Sequence, residues 1–405
     1  MKKICLTVVG LYISLFAAFG QQKAADTSYK SRSLTFEEAN LVSSYYRQNG
    51  NNSAVTGGIG TEKLSDFANV IDVKLNKWDK RNRKNIFDFE IGIDHYTSAS
   101  SDNIDPRNIS SASHADTRIY PSATWSRENE KKGTTIGGGL SFSNEFDYQS
   151  IGANASFSLK TRNRSGEFTA RAQAYLDKVS LILPIELQRG YPNVRGEDGE
   201  RNKSDYASSP RNSYSGSLSY SQIINQRMQV AFLLDVIYQQ GYLGLPFHRV
   251  FFNNSSLHVE NLPDTRIKIP LGFRASYFFG DKIIVRTYYR YYHDDWGLNA
   301  HTFNIETPVK ITPFFSISPY YRFYSQSAVK YFAPYKIHTA ADEFYTSNYD
   351  LSKFNSNFYG AGFRITPPKG VFGLQHLNML EIRYGHYTKT SGMNSDIVSL
   401  NLKFK

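Results

Sequence analysis

Cysteine is all but missing from this sequence. Cys5 is the single one in 405 residues, and it sits inside the apolar N-terminal stretch. Downstream of it no thiol can form a disulfide, hold a thiolate-bound metal, attach a c-type haem or act as a nucleophile. Long hydrophobic runs are missing as well. Beyond residue 20 the most apolar stretch is Val230 to Tyr238, which Asp235 interrupts and which is too short to cross a bilayer as a helix. A mean hydropathy of −0.46 excludes a helical membrane protein. It does not exclude a barrel, which needs apolar residues only at alternate strand positions. Basic runs are missing too, although the net charge is +11. The charges are dispersed and form no recognition-helix pattern, so nucleic acid is not an expected partner. An anionic lipopolysaccharide surface or anionic solutes suit such a distribution better.

The N-terminus reads as a signal peptide over residues 1–20. Lys2 and Lys3 form a basic start, Ile4 to Phe19 an apolar stretch, and Ala18-Phe19-Gly20 a small-x-small cleavage site. Residues 21–34 read as a polar periplasmic leader, and 35–405 as the folded unit. The expected location is the outer membrane of a double-membraned bacterium.

From Phe36 onward, apolar and polar residues alternate in short segments. Phe87, Phe89, Ile91 and Ile93 interleave with Asp88, Glu90, Gly92 and Asp94. A period of two puts one side of a strand in water and the other in an apolar medium. About sixteen such strands can be counted, and the spacers between them alternate in length. Compact turns rich in Asn, Gly and Asp occupy 79–85, 128–133, 161–166, 225–227 and 280–282. Long polar loops occupy 49–65, 98–117, 179–213, 240–266 and 327–357. Short turns at one end and long loops at the other are the organisation of a closed antiparallel transmembrane β-barrel, with periplasmic turns and extracellular loops. The 29 tyrosines and 28 phenylalanines suit aromatic girdles at the two lipid–water interfaces. The last segment alternates Val398, Leu400, Leu402 and Phe404 with polar residues, a pattern that the barrel-assembly machinery reads in a closing strand.

Strand parity also names the interior. Asp72, Asp88, Glu90 and Asp94 on the second and third strands should face inward, as should Arg274, Arg286 and Arg290 on the tenth and eleventh and Arg322 on the thirteenth. In a ring of sixteen the third strand lies across from the eleventh, so an acidic wall faces a basic one. Such a lumen would favour small polar or zwitterionic solutes, unless these charges pair across a packed interior.

Two loop motifs stand out. Thr56-Gly57-Gly58-Ile59-Gly60-Thr61-Glu62 resembles a phosphate loop only in its glycines, since no Lys-Ser or Lys-Thr follows, and a glycine-bent loop is the expectation. His293-Asp294-Asp295, before Trp296, and Asp94-His95 could each offer oxygen and nitrogen ligands to a divalent cation. So could the oxygens of Ser98–Asp105. Without HExxH or an EF-hand spacing, the expectation is no cofactor beyond weak divalent-cation binding at the loops. No nucleophile elbow and no serine–histidine pair with a supporting amide is evident, so no catalytic residue is assigned.

Several strings are similar to a known family: Ser53-Ala54-Val55-Thr56-Gly57-Gly58-Ile59-Gly60-Thr61-Glu62-Lys63-Leu64, the run Asp94 to Pro106, the run Tyr288 to Gly297, and Tyr331-Phe332-Ala333-Pro334-Tyr335. Together they resemble the domain-of-unknown-function family 3570 along nearly the whole chain. The resemblance implies an exported barrel of unassigned activity. It also implies a neighbourhood of flavin-attachment and thioredoxin-like proteins, hence redox-system protein partners or metal traffic. It supplies no catalytic residues. The leading expectation is a pore or transport-related barrel. The alternatives are a docking barrel for an extracytoplasmic redox or metal system and an outer-surface enzyme.

Overall fold

The structure, a computed structural model, describes residues 33–97, 115–187 and 206–405. The signal peptide, most of the leader and Ser98–Asp105 lie outside the described residues. The barrel strands are β1 (Thr35–Asn49), β2 (Leu64–Trp78), β3 (Lys84–Thr97), β4 (Ala115–Asn129), β5 (Thr134–Asn144), β6 (Tyr148–Lys160), β7 (Gly166–Ser180), β8 (Ser208–Asn225) and β9 (Met228–Gly241). A small ribbon follows, β10 (Arg249–Phe251) with β11 (Leu257–Val259). The barrel resumes with β12 (Thr265–Phe279), β13 (Ile283–Asp294), β14 (Asn299–Glu306), β15 (Val309–Thr312), β16 (Phe315–Gln326), β17 (Phe354–Ile365), β18 (Leu377–Lys389) and β19 (Met393–Phe404). Every strand pairs antiparallel with its neighbour, and β1 closes on β19 from Ala39 opposite Phe404 to Asn49 opposite Asn394. The result is a closed ring of sixteen strands. The segments β14 and β15 are one strand broken at Thr307-Pro308, where proline has no N–H to give to the ladder.

The period-two pattern now has a cause on each side. Outward positions carry Phe89, Ile91, Leu140, Ile151, Leu176, Leu218, Phe232, Leu271 and Phe273, all exposed apolar side chains. Most of their inward neighbours are charged, hydroxylated or glycine, with Ala231, Leu233 and Pro270 as exceptions. On β8 the inward set is Ser213, Ser215, Ser217, Ser219 and Ser221. A charge on the outer face must enter hydrocarbon, whereas one on the inner face need not. Leu218→Arg, near the middle of β8, is therefore expected to destabilise the barrel folded in lipid by about 2–4 kcal/mol, with the adjacent Ser217→Arg near neutral. Urea titration in phospholipid vesicles measures both, and equal effects would contradict this assignment of faces.

Connections at one end of the ring are short: 79–83, 130–133, 161–165, 226–227, 280–282 and 313–314. The exception at that end is 366–376, which folds back over the outside of the wall. There Val371 is buried against Ala39, Leu41, Leu377, Leu402 and Phe404, the outward positions flanking the β1–β19 seam. The opposite end carries the long loops.

Candidate functional site: the lumen wall and its folded mouth

The inward register holds all eight wall residues named from the sequence. Asp72, Asp88, Glu90 and Asp94 lie on β2 and β3, and Asp72 sits opposite Glu90. Arg274, Arg286, Arg290 and Arg322 lie on β12, β13 and β16, with Arg274 opposite Tyr288 and Arg322 opposite Asn304. Ion pairs run along the wall instead of across it. Lys74 Nζ lies 3.3 Å from Glu38, 3.5 Å from Asp72 and 3.8 Å from Asp88. On the far wall Arg383 reaches Glu306 at 3.0 Å and Glu381 at 3.1 Å, and Arg286 lies 3.8 Å from Glu306. Among the described residues Arg274, Arg290 and Arg322 have no carboxylate within 4.0 Å. Sixteen strands spaced about 4.8 Å apart and tilted about 40° enclose a radius of roughly 15 Å, so facing side chains cannot bridge a round lumen. Among the described residues no ion pair joins the acidic arc on β2 and β3 to the basic arc on β12, β13 and β16. Arg274, Arg286 and Arg322 are exposed within the ring, which makes the interior beside them water-accessible.

The strands β17 and β18 carry further inward charges. Arg364, Glu381 and Arg383 also face inward there, and the same alternation, Ile382 and Tyr384 against Glu381 and Arg383, would have placed them.

The mouth is built by loops that turn inward. The long connections 242–264 and 327–353 pack Leu243, Leu262, Val329, Tyr331 and Leu351 around Trp296, against the inward side chains Tyr292, Ala300 and Tyr324. Gln326 donates to the carbonyl of Asp350 at 2.9 Å, and Lys389 Nζ meets the Asp350 carboxylate at 2.7 Å. The glycine-rich loop joins this cap. Gly57 and Gly58 take φ of +84° and +83°, and a Cβ on Gly57 would meet Phe251 at 2.8 Å. Thr56 folds back on the carbonyl of Ile59. Arg249 ties the layers together, donating to the Val55 carbonyl at 2.8 Å and to Glu186 at 2.8 Å. At the heart of the cap Glu260 is fully buried. It accepts from the Leu245 amide at 2.6 Å and from Thr346, with His248 Nδ1 at 3.3 Å. Burial alone would raise its pKa; His248, Thr346 and the amide together hold it below the ordinary carboxylate value.

These contacts correct the metal-ligand expectation for His293-Asp294-Asp295. Neighbours in a strand point to opposite faces. His293 faces outward onto Asn299 at 2.9 Å, while Asp294, fully buried, faces inward. Asp294 is saturated by Arg266 Nε at 3.0 Å, the Tyr292 hydroxyl at 2.8 Å and the Leu298 amide at 3.0 Å. Asp295 accepts from the Ile267 amide, and Trp296 donates to the Thr265 carbonyl. The motif holds a turn together. Asp94 and His95 diverge in the same way, Asp94 toward Tyr120 and His95 toward Thr117.

Three acids that no sequence motif flagged do converge. Asp116, Glu145 and Asp147 bring carboxylate oxygens within 4.8 Å of one another beside a mouth cavity of about 370 Å³, which Glu62 and Asp350 also line. Such oxygens are the donors a hard cation takes. Here they already accept from the Tyr96 hydroxyl at 2.6 Å and the Phe146 amide at 3.0 Å, and Arg118 Nε lies 3.4 Å from Glu145 as an ion pair. A serine–histidine pair also emerges: Ser256 Oγ lies 2.9 Å from His258 Nε2 in the β10–β11 hairpin. Phe252 and Tyr345 pack on the ring, and among the described residues no hydrogen-bonded carboxylate or amide orients it.

Glu62, which lines the mouth cavity, is shifted toward neutrality. Burial, then the Asp350 carboxylate, push its pKa up to about 7. The folded chain keeps this proton up to about pH 7, whereas the unfolded chain releases it near 4.5. Stability should therefore fall as pH rises between those values. Melting temperatures measured from pH 4 to 8 should show this decline, and Glu62→Gln should flatten it. An unchanged slope in the variant would exclude Glu62 as its source.

A closed, sixteen-stranded antiparallel barrel with an apolar exterior and a charged interior has the architecture of a membrane barrel. The chain belongs to the DUF3570 family of proteins of unknown function, which it matches over residues 82–394. No characterised protein matched the sequence. Among solved structures, a BenF-like porin from Pseudomonas fluorescens Pf-5 is similar at a TM-score of 0.43 and 9% identity, over 93% of this chain and 99% of that one. Pseudomonas aeruginosa OccK2 (OpdF) in complex with glucuronate gives 0.41 and 8%, over 93% and 97%. The ferric enterobactin receptor PfeA of Pseudomonas aeruginosa gives 0.45 and 10%, over 87% of this chain and 53% of that one. None superposes closely, and none bears on what this barrel does.

Proposed function

We propose that this protein is an outer-membrane channel for small polar or charged solutes, acting by selective passage and not by catalysis. The observation that carries this reading is the segregated, water-accessible interior: carboxylates on β2 and β3, and, on β12, β13 and β16, guanidinium groups that have no carboxylate partner among the described residues. Low-dielectric walls focus the field between such arcs, which attracts solutes bearing charge and disfavours apolar ones. The inward-folded loops narrow the entrance and line it with polar groups, Glu62 and the Asp350–Lys389 pair among them. Insertion by the barrel-assembly machinery belongs to the same reading, with β19 closing on Phe404.

Purified protein reconstituted into planar bilayers tests it. Stepwise single-channel currents, with a measurable reversal potential in a salt gradient, are expected. Electrically silent bilayers containing verified inserted barrel would overturn the channel reading and favour a docking barrel.

A further inference from the structure

One patch of the basic wall is shaped for a ligand more specific than an anion. Arg322 on β16 is exposed to the lumen and has no carboxylate within 4.0 Å among the described residues. Its cross-strand neighbour on β17 is Phe358, whose ring centroid lies 5.4 Å from the guanidinium carbon. Two residues back on the same face of β16, the Tyr320 ring lies 5.3 Å from that of Phe358. These rings lie down along the wall because the strands beneath them carry no side chain. A Cβ on Gly385 would meet Phe358 at 2.5 Å and collide with the Tyr320 hydroxyl, and one on Gly360 would meet that hydroxyl at 2.7 Å. Tyr320 is pinned there by donating to the Tyr384 carbonyl at 3.0 Å. On the other flank Asn304 stands opposite Arg322 on β14 and offers an amide. The neighbouring Arg383 also stacks on Tyr320, at 4.9 Å, but its charge is engaged by Glu306 and Glu381.

We propose that Arg322, Phe358 and Tyr320 form a binding subsite for an aromatic carboxylate. The planar guanidinium fork matches a carboxylate in two parallel hydrogen bonds. The adjoining rings supply a surface on which a second ring stacks, offset or edge to face. Neither half suffices alone: a bare carboxylate forgoes the rings, and an uncharged ring forgoes the guanidinium. The proposal deepens the channel reading by naming the solute class, and takes from that reading only the route by which the ligand arrives.

Isothermal titration of the detergent-solubilised full chain with benzoate, acetate and benzyl alcohol tests the site whether or not the barrel conducts. Benzoate is expected to bind at least tenfold more tightly than either of the others. Arg322→Ser should weaken benzoate at least tenfold. Phe358→Leu, which keeps apolar bulk over Gly385, should bring benzoate to the level of acetate. Arg274→Ser, which removes an equally unpaired charge three strands away, should leave benzoate affinity within twofold of the wild type. Benzoate binding no better than acetate, or equally in wild type, Arg322→Ser and Phe358→Leu, would overturn the subsite. Benzoate bound by a barrel silent in bilayers would overturn the channel and leave the subsite standing.

Discussion

Replacing Arg286, Arg290 and Arg322 together with serine is expected to shift the ion preference of the proposed channel several-fold toward cations. Arg290 and Arg322 have no carboxylate partner among the described residues, and Arg286 holds Glu306 only at 3.8 Å. Their removal therefore subtracts three positive charges from the lumen while Asp72, Asp88, Glu90 and Asp94 stay in place. The range of the effect follows from screening. At 0.1 M salt the Debye length of about 10 Å is comparable to the passage radius left inside the wall, so the basic arc acts on ions near the axis. At 1 M it contracts to about 3 Å and the difference between wild type and variant should largely vanish. Reversal potentials in salt gradients at both ionic strengths measure this. A preference unchanged at 0.1 M would mean that ions pass far from these residues, and would discard the wall field as the selectivity device.

Asp294→Ala is the substitution expected to damage the mouth most. The carboxylate is fully buried and accepts from Arg266, Tyr292 and the Leu298 amide. Arg266 in turn stacks on Trp296, with 4.2 Å from guanidinium carbon to ring centroid. Deleting one partner of a buried pair strands the other, at a cost of about 3–5 kcal/mol. That cost falls on the cap, because the sixteen-strand ladder does not depend on this carboxylate. The expected result is trypsin cleavage at Lys330 and Lys336 under conditions where wild type resists, with strand content by circular dichroism unchanged. Cap loops that stay protected would show that the apolar cluster around Trp296 holds the mouth without the ion pair. Asp294→Asn, which keeps the shape and part of the hydrogen bonding, should fall between the two.

The ring itself was legible in the sequence because lipid and water impose opposite demands on successive residues of every strand. That demand is local, so Phe87 to Asp94 announce a strand and its faces without reference to any partner. The wall charges followed from the same parity. The mouth was not legible, because its chemistry is assembled across loops distant in the chain. Glu260 and Thr346 meet over 86 positions, and Arg249 reaches Val55 over 194. No local periodicity encodes such meetings. His293-Asp294-Asp295 misled for a related reason: adjacency suggests a shared ligand, whereas extended backbone sends consecutive side chains to opposite faces. The laying of Tyr320 and Phe358 over Gly385 depends on cross-strand register, which sequence alone leaves open until the partner strands are aligned.

The segment 366–376 bears on the order in which the ring is made. Val371 covers Ala39 and Leu41 from the first strand together with Leu402 and Phe404 from the last, so one short stretch touches both lips of the closing joint. An unfinished chain that has not yet laid down β19 offers Val371 only half of its seat. The other half comes with the final residues, and the joint becomes zipped and clasped in one event. Closure of this kind resists partial opening, since parting the first strand from the last must also lift an apolar cover off both. The ring is then either shut along its whole height at this end or not yet formed.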